Sequence, residues 1–185
     1  MRFRFNEKKA AQAAAHLLQL HGGKLNYMRL IKLLYLADRA ALLKCGQPIT
    51  GDAMFSLPHG AILSNILNLA STGEAEGDSP WFELISEPAH YAVQLLAKDP
   101  PRDELSRFEI GILDAINERF GAMDQWALGK LTHGLPEYQD PQGSRLPIHP
   151  EHILRAEGKS PEEIERLTQE AEELFFIDRL RERTS

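Results

Sequence analysis

The sequence predicts a mainly helical α+β fold, in which one central buried helix is surrounded by further helices beside a small antiparallel β-sheet. Three observations predict it. Residues 25–44, LNYMRLIKLLYLADRAALLK, are the longest apolar-rich stretch with helical spacing. At about 100° per residue Leu30, Ile31, Leu33, Leu34, Ala37 and Ala41 spread over most of its circumference, so it must be covered on several sides. Helical patterns with caps at their starts and glycines at their ends lie before and after it. Alternating runs at 52–57, 82–87 and 90–96 supply the sheet.

With 185 residues the chain suits one domain that buries about 70% of its unfolded surface. Hydrophobic content of 43% beside 26% charge belongs to a globular chain, not a disordered or fibrous one. No apolar run approaches the roughly 18 residues of a spanning helix, so no membrane association is expected. The polar start MRFRFNEKKAAQAAAHLL has no secretory core, and the lone Cys45 cannot form an intramolecular disulfide. The expected location is the cytoplasm. Net charge is −6, but residues 1–50 carry nine Lys/Arg against Glu7 and Asp38, giving +7, and the remainder sums to −13. That asymmetry permits a basic face for nucleic acid. Neutralisation of the basic part by the acidic part within the fold is the favoured reading, so nucleic acid is not the expected partner.

In chain order, Asn6 caps a first helix whose first turn holds Glu7 and whose buried stripe is Ala10, Ala13, Ala14, Leu17, Leu18 and His21. Gly22-Gly23 stops it, and Asn26 caps the central helix. Gly46 ends the central helix and Pro48 prevents its continuation. A strand over 52–57 closes at Pro58, and from Gly60 the apolar positions Ile62, Leu63, Ile66, Leu67 and Leu69 return to helical spacing. Residues 71–80 read as an exposed loop. WFELISEP and HYAVQLLAKD flank a Pro88-Ala89 turn and read as a hairpin. Asp103 or Ser106 starts a helix ending at Gly121, and Trp126, Leu128 and Leu131 belong to a short helix finishing near His133-Gly134. Residues 135–150, rich in Pro and Gly, run over the surface. Pro150–Ala156 makes a helical turn or two. Ser160-Pro161-Glu162-Glu163 is a capping box with Pro at N1, opening a final helix that buries Ile164, Leu167, Ala171, Leu174, Phe175 and Leu180.

Two features of the central helix bear on function. Asp38 points with Ile31 and Leu34, and a buried carboxylate needs a partner. Its donor is either the imidazole of His59 or the backbone N–H groups of the Thr50–Asp52 turn. Arg29, Lys32, Leu36 and Arg39 form a narrow basic stripe. It is either a solvated face or a docking surface for an acidic partner, with Leu36 as the apolar contact inside a charged rim.

Catalytic motifs are scarce. There is no glycine-rich phosphate loop, serine nucleophile elbow or paired-Cys metal motif. His149 and His152 are three apart with Pro150 between them, a poor metal pair, so no metal or cofactor is expected. The nearest catalytic set is Asp38, Cys45, His59 and His133. Cys45 lies at a helix C-terminus, where the dipole disfavours a thiolate, and the chain is not expected to be an enzyme.

The stretch KLLYLADRAALLKCGQPITGDAMFSLPHGAILSNILNL resembles the signature of Panacea-domain proteins, which include SocA-like antitoxins and phage-associated proteins. The resemblance rests on Lys32 through Asp38, on Gly46-x-Pro48-Ile49-Thr50-Gly51-Asp52, and on Pro58-His59-Gly60. LGKLTHGLPEY, which contains His133, is similar to the family's Thr-His segment, and LPIHPEHILRAEGKSPEEIE to its C-terminal helical tail. The resemblance implies a single Panacea-like domain over 1–185, with its core at about 6–140 and a helical tail at 145–185. Asp38, Thr50, Gly51, Asp52, His59, Gly60 and His133 would be its structural motif. It further implies an antitoxin of a toxin–antitoxin system that neutralises a cognate protein toxin by direct protein–protein binding. Two alternatives are a proteolytic adaptor delivering a toxin to a protease, and a nucleic-acid-binding regulator of a mobile element. The absence of an appended DNA-binding segment weakens the last.

Overall fold

The Asn6 carboxamide accepts the Lys9 N–H at 3.0 Å and so satisfies a free donor at the start of α1 (Glu7–Leu20). Five alanines of α1 are fully buried, which lets it approach its neighbours closely. Burial runs further round this helix than the predicted stripe, taking in Ala11, Gln12 and Ala15, while His21 stays half-buried. Gly22 and Gly23 both take positive φ and end it. Asn26 accepts the N–H groups of Met28 and Arg29 at 3.0 and 3.2 Å to open α2 (Tyr27–Cys45), and Gly46 at φ +75° closes it through Leu42 O.

In the computed structural model, residues 1–75 and 77–182 are described, with side chains through residue 180. Helices account for just over half of the described residues. Helix α2 is central: it packs against α1, α3 (Ser64–Thr72), α5 (Arg107–Phe120), α6 (Gln125–His133) and α7 (Pro150–Ala156), and against β1 (Lys24–Asn26) and β3 (Gly60–Leu63). The mainly helical α+β class is as predicted.

The strands are arranged differently from the prediction. Strand β2 (Met54–Leu57) lies inside the expected 52–57, but its partners are β3 and β5 (Leu146–Ile148), in the order β3-β2-β5 and antiparallel throughout. Pro58-His59 is a hairpin turn, not a strand stop, because Leu57 pairs with Gly60. The helix expected from Gly60 begins at Ser64. All four β3 residues are buried, so the strand shows no alternation and its apolar spacing mimics a helix. Segment 135–150 contributes β5 to the sheet edge, where Pro147 forfeits no needed donor.

The hairpin over 82–87 and 90–96 is also corrected. Pro80 sits at N1 of α4 (Pro80–Leu84), whose Trp81 is wholly buried, and α4 packs on α1. Only an isolated Ile85–Leu95 bridge remains of the expected pairing. Strand β4 (Ala92–Gln94) pairs instead with β1, Leu25 opposite Val93. The reversal falls at His90-Tyr91 instead of Pro88-Ala89: Ala89 and Ala92 exchange both backbone hydrogen bonds around it.

Helix α5 starts at Ser106 with a complete capping box, and α8 (Pro161–Glu182) at Ser160 with the reciprocal Ser160–Glu163 bonds. α8 buries Ile164, Leu167 and Ala171. Leu174 and Leu180, expected inside, are 48% and 46% exposed. Phe175 is half-buried beneath the Arg2 guanidinium. Much of the N-terminal positive charge is paired with later acids: Arg2 with Glu172, Lys8 with Asp103 and Glu104, Lys9 with Glu109, Arg39 with Glu137 and Glu157. No helix among the described residues is long and apolar enough to cross a membrane.

Gly51 sits at φ +69°, and a Cβ there would lie 2.1 Å from the backbone oxygen of Arg4. Gly22, at φ +72°, has nothing within 4 Å of the same position. Gly51→Ala is therefore expected to cost more than about 3 kcal/mol and Gly22→Ala about 1 kcal/mol, compared by urea denaturation. Equal losses would contradict the close approach of the N-terminal segment to the Thr50–Asp52 turn.

Candidate functional site

The motif residues converge on α2 from both sides. Asp38, 0% exposed, accepts the Thr50 N–H at 3.0 Å and the Thr50 hydroxyl at 2.5 Å. The turn, not His59, holds the carboxylate. The Thr50 hydroxyl oxygen accepts the Asp52 N–H at 3.2 Å. Asp52 then accepts the N–H groups of Ala53, Asn65 and Ile66 and the Asn65 side-chain amide, placing a buried acid at the start of α3. An anion there satisfies free N–H donors and matches the helix dipole. Burial raises the Asp38 carboxyl to about 7, against the Thr50 bonds that favour its charged form, and also raises Asp52.

Six residues before Asp38, Lys32 makes the opposite kind of bond. Its ammonium, in a side chain 1% exposed, donates to His59 O at 2.7 Å and Ala61 O at 3.0 Å. Burial lowers it to about 7. Gly60 lies between those carbonyls at φ +98°, and a Cβ there would sit 2.3 Å from Thr132 Oγ1 and 2.9 Å from Lys32 Nζ. Only glycine lets the β2–β3 turn press against α2 and α6.

A third polar contact ties α2 to residue 137. Arg39 grips Glu137 with both arms at 2.7 and 3.0 Å, also reaches Glu157, and Tyr35 donates its hydroxyl to Glu137 at 2.9 Å. Burial, then the Glu137 charge, holds the Tyr35 hydroxyl well above its ordinary value. Arg29 donates to Gly121 O at 2.6 Å. The expected stripe is therefore not an exposed face: Lys32 and Leu36 are 1% and 6% exposed, and Arg29 and Arg39 reach inward to other elements.

What is exposed beside these contacts is a groove of about 830 Å³. Its walls are the start of α2 (Asn26, Met28), the β2–β3 turn (Pro58, His59), the β4 turn (His90, Tyr91) and one face of α6 (Gln125, Trp126, Gly129, Lys130, His133), with Lys32 beneath. Asp124 caps α6 by accepting the N–H groups of Trp126 and Ala127, which fixes the helix end carrying Trp126. Trp126 is 72% exposed and Tyr91 73%. His90 and Tyr91 both have left-handed φ, +52° and +61°, in a turn that usually takes Asn-Gly. The backbone accepts that cost where Tyr91 stands over the groove, its ring 6.2 Å from that of Tyr27.

Asp38, Cys45, His59 and His133 do not assemble into a catalytic set. Asp38 is sealed in the core, and Cys45 is exposed at the far end of α2, its thiol donating to Ala41 O. His59 and His133 share the groove, and the His133 ring stacks 4.1 Å from Tyr138. His149 and His152 meet edge to face at 5.4 Å. Among the described residues no group of three or more His, Cys, Asp or Glu is placed to hold a metal.

The buried ionic groups yield two tests. The Asp38 carboxyl binds its proton more tightly in the fold, at about 7, than its ordinary 3.8. Its contribution is full below about pH 4 and is lost as pH rises through 7. Lys32, lowered to about 7, behaves oppositely: its contribution is lost as pH falls from about 10 through 7. Asp38→Asn keeps an acceptor for Thr50 but removes the titration. Relative to wild type it should therefore gain stability between pH 4 and 7, with a slope approaching about 1.4 kcal/mol per pH unit in urea denaturation. A pH-independent difference would contradict the assignment. Arg39→Met strands the Glu137 charge and should cost about 3 kcal/mol, whereas a solvated arginine would cost under about 0.5.

A family model described as "Antitoxin SocA-like, Panacea domain" matches residues 30–138. That span runs from the start of α2 to the segment carrying Glu137, and so includes Lys32, Asp38, Thr50, Asp52 and the α6 face of the groove. Neither the curated proteins nor the solved structures gave a match. The match covers more than half of the chain, which belongs to the family of SocA-like antitoxins built on the Panacea domain.

Proposed function

We infer that the chain neutralises a cognate protein toxin by stoichiometric, noncovalent contact, and that it does so without catalysis. Membership of the antitoxin family carries this reading. The geometry supports it in a specific way. Asp38, Thr50, Asp52, Lys32 and Glu137 are spent on bonds within the fold, so the motif builds a scaffold and leaves recognition to exposed side chains. Large exposed aromatics bordering a groove are the residue types that dominate binding energy at protein interfaces.

The test is co-expression with the toxic product of the neighbouring gene, followed by purification. Growth should be restored, the two proteins should co-purify in a fixed ratio, and the amount of toxin should be undiminished. Growth arrest that persists with both proteins present would contradict neutralisation. Rescue accompanied by disappearance of the toxin, reversed in a protease-deficient host, would replace binding with the adaptor reading.

A further inference from the structure

We propose that the groove between α6, the β2–β3 turn and the His90-Tyr91 turn receives an acidic segment of the toxin that carries an apolar or aromatic side chain. This rests on the antitoxin reading and adds the place and chemistry of contact.

The first support is charge. The protein as a whole is acidic, at −6, yet the groove is lined by Lys130 and by His59, His90 and His133 and by no Asp or Glu, while the buried Lys32 beneath it is held by the His59 and Ala61 carbonyls. The nearest acid in sequence, Asp124, is occupied with the first N–H groups of α6. Elsewhere the fold pairs its cations readily, as with Lys8, Lys9 and Arg39, but among the described residues no carboxylate pairs with Lys130. A surface of this kind draws an acidic segment, with charge steering the encounter.

The second support is the aromatic pair. A tryptophan and a tyrosine more than 70% exposed are large apolar surfaces left in water. One is held at a capped helix start and the other on a strained turn, so the backbone carrying each is fixed before contact. Their ring faces favour an apolar or aromatic side chain flanked by the acids.

The protein carries its own reporter. Of its two tryptophans Trp81 is wholly buried and Trp126 largely exposed, so acrylamide quenching in the native state reads mainly Trp126. The experiment titrates the neighbouring gene's toxin into this protein and follows quenching and affinity, with melting temperatures confirming that each variant folds. The toxin should shield Trp126. Trp126→Ala should weaken binding about 30-fold or more, as truncation of an aromatic hot spot does. Lys130→Glu should slow association about tenfold, while Lys98→Glu, the same charge change outside the groove, should alter it less than about threefold. Full affinity in both groove variants, with Trp126 still quenched in the complex, overturns the groove and leaves the antitoxin reading standing. Tighter binding by Lys130→Glu overturns the acidic occupant. Shielding of Trp126 to the same extent by ATP alone overturns it in favour of a small anionic ligand. No complex with wild-type protein removes the antitoxin reading and this inference with it.

Discussion

The Asp38 carboxylate and the Thr50 backbone form the contact on which the rest of the structure depends. A carboxylate in the middle of a helix covered on all sides is costly unless its lone pairs are filled. Thr50 fills them with a backbone and a hydroxyl donor from one residue. That fixes the turn after α2, and through Asp52 it fixes where α3 begins. The N-terminal segment then lies on the same turn: Asn6 N–H donates to Thr50 O, and Gly51 leaves room for Arg4.

Lys32 and Glu137 extend the same principle along α2. Each is a buried charge meeting groups from distant segments: carbonyls of the β2–β3 turn in one case, Tyr35 and Arg39 in the other. Apolar packing alone would tolerate several placements of a short hairpin and a loop against a helix. A charge that must find particular donors or acceptors selects one placement, at some cost in stability. The result is a groove with walls from four separate segments, each fastened independently of any partner.

Elements with their own local signals were legible in the sequence. Asn6, Asn26, Ser106 and Ser160 open helices as their side chains suggest, and Gly46 closes α2. The family motif was equally legible, and the turn was one of the two donors foreseen for Asp38. Elements defined only by their neighbours were not. Strand β3 is buried at every position, β1 is three residues long, and α4 is a five-residue helix set by Pro80 and the packing of Trp81. Helical spacing alone puts Lys32 on a basic stripe, yet it is 1% exposed. A helix apolar over most of its circumference has no face left for a solvated stripe, so its cations had to turn inward. Trp126 and Tyr91 gave no signal at all, since an exposed aromatic in a short element reads the same as a buried one.

The most direct test of this account is amide hydrogen exchange at Thr50 in the free protein. Residues 46–53 form an irregular connection, in which amides ordinarily exchange through local opening. If the Asp38 contact organises the fold, the Thr50 amide exchanges only with global unfolding, as slowly as the amides of α2. Exchange as fast as that of the exposed Glu74 loop would contradict the central place given to this contact.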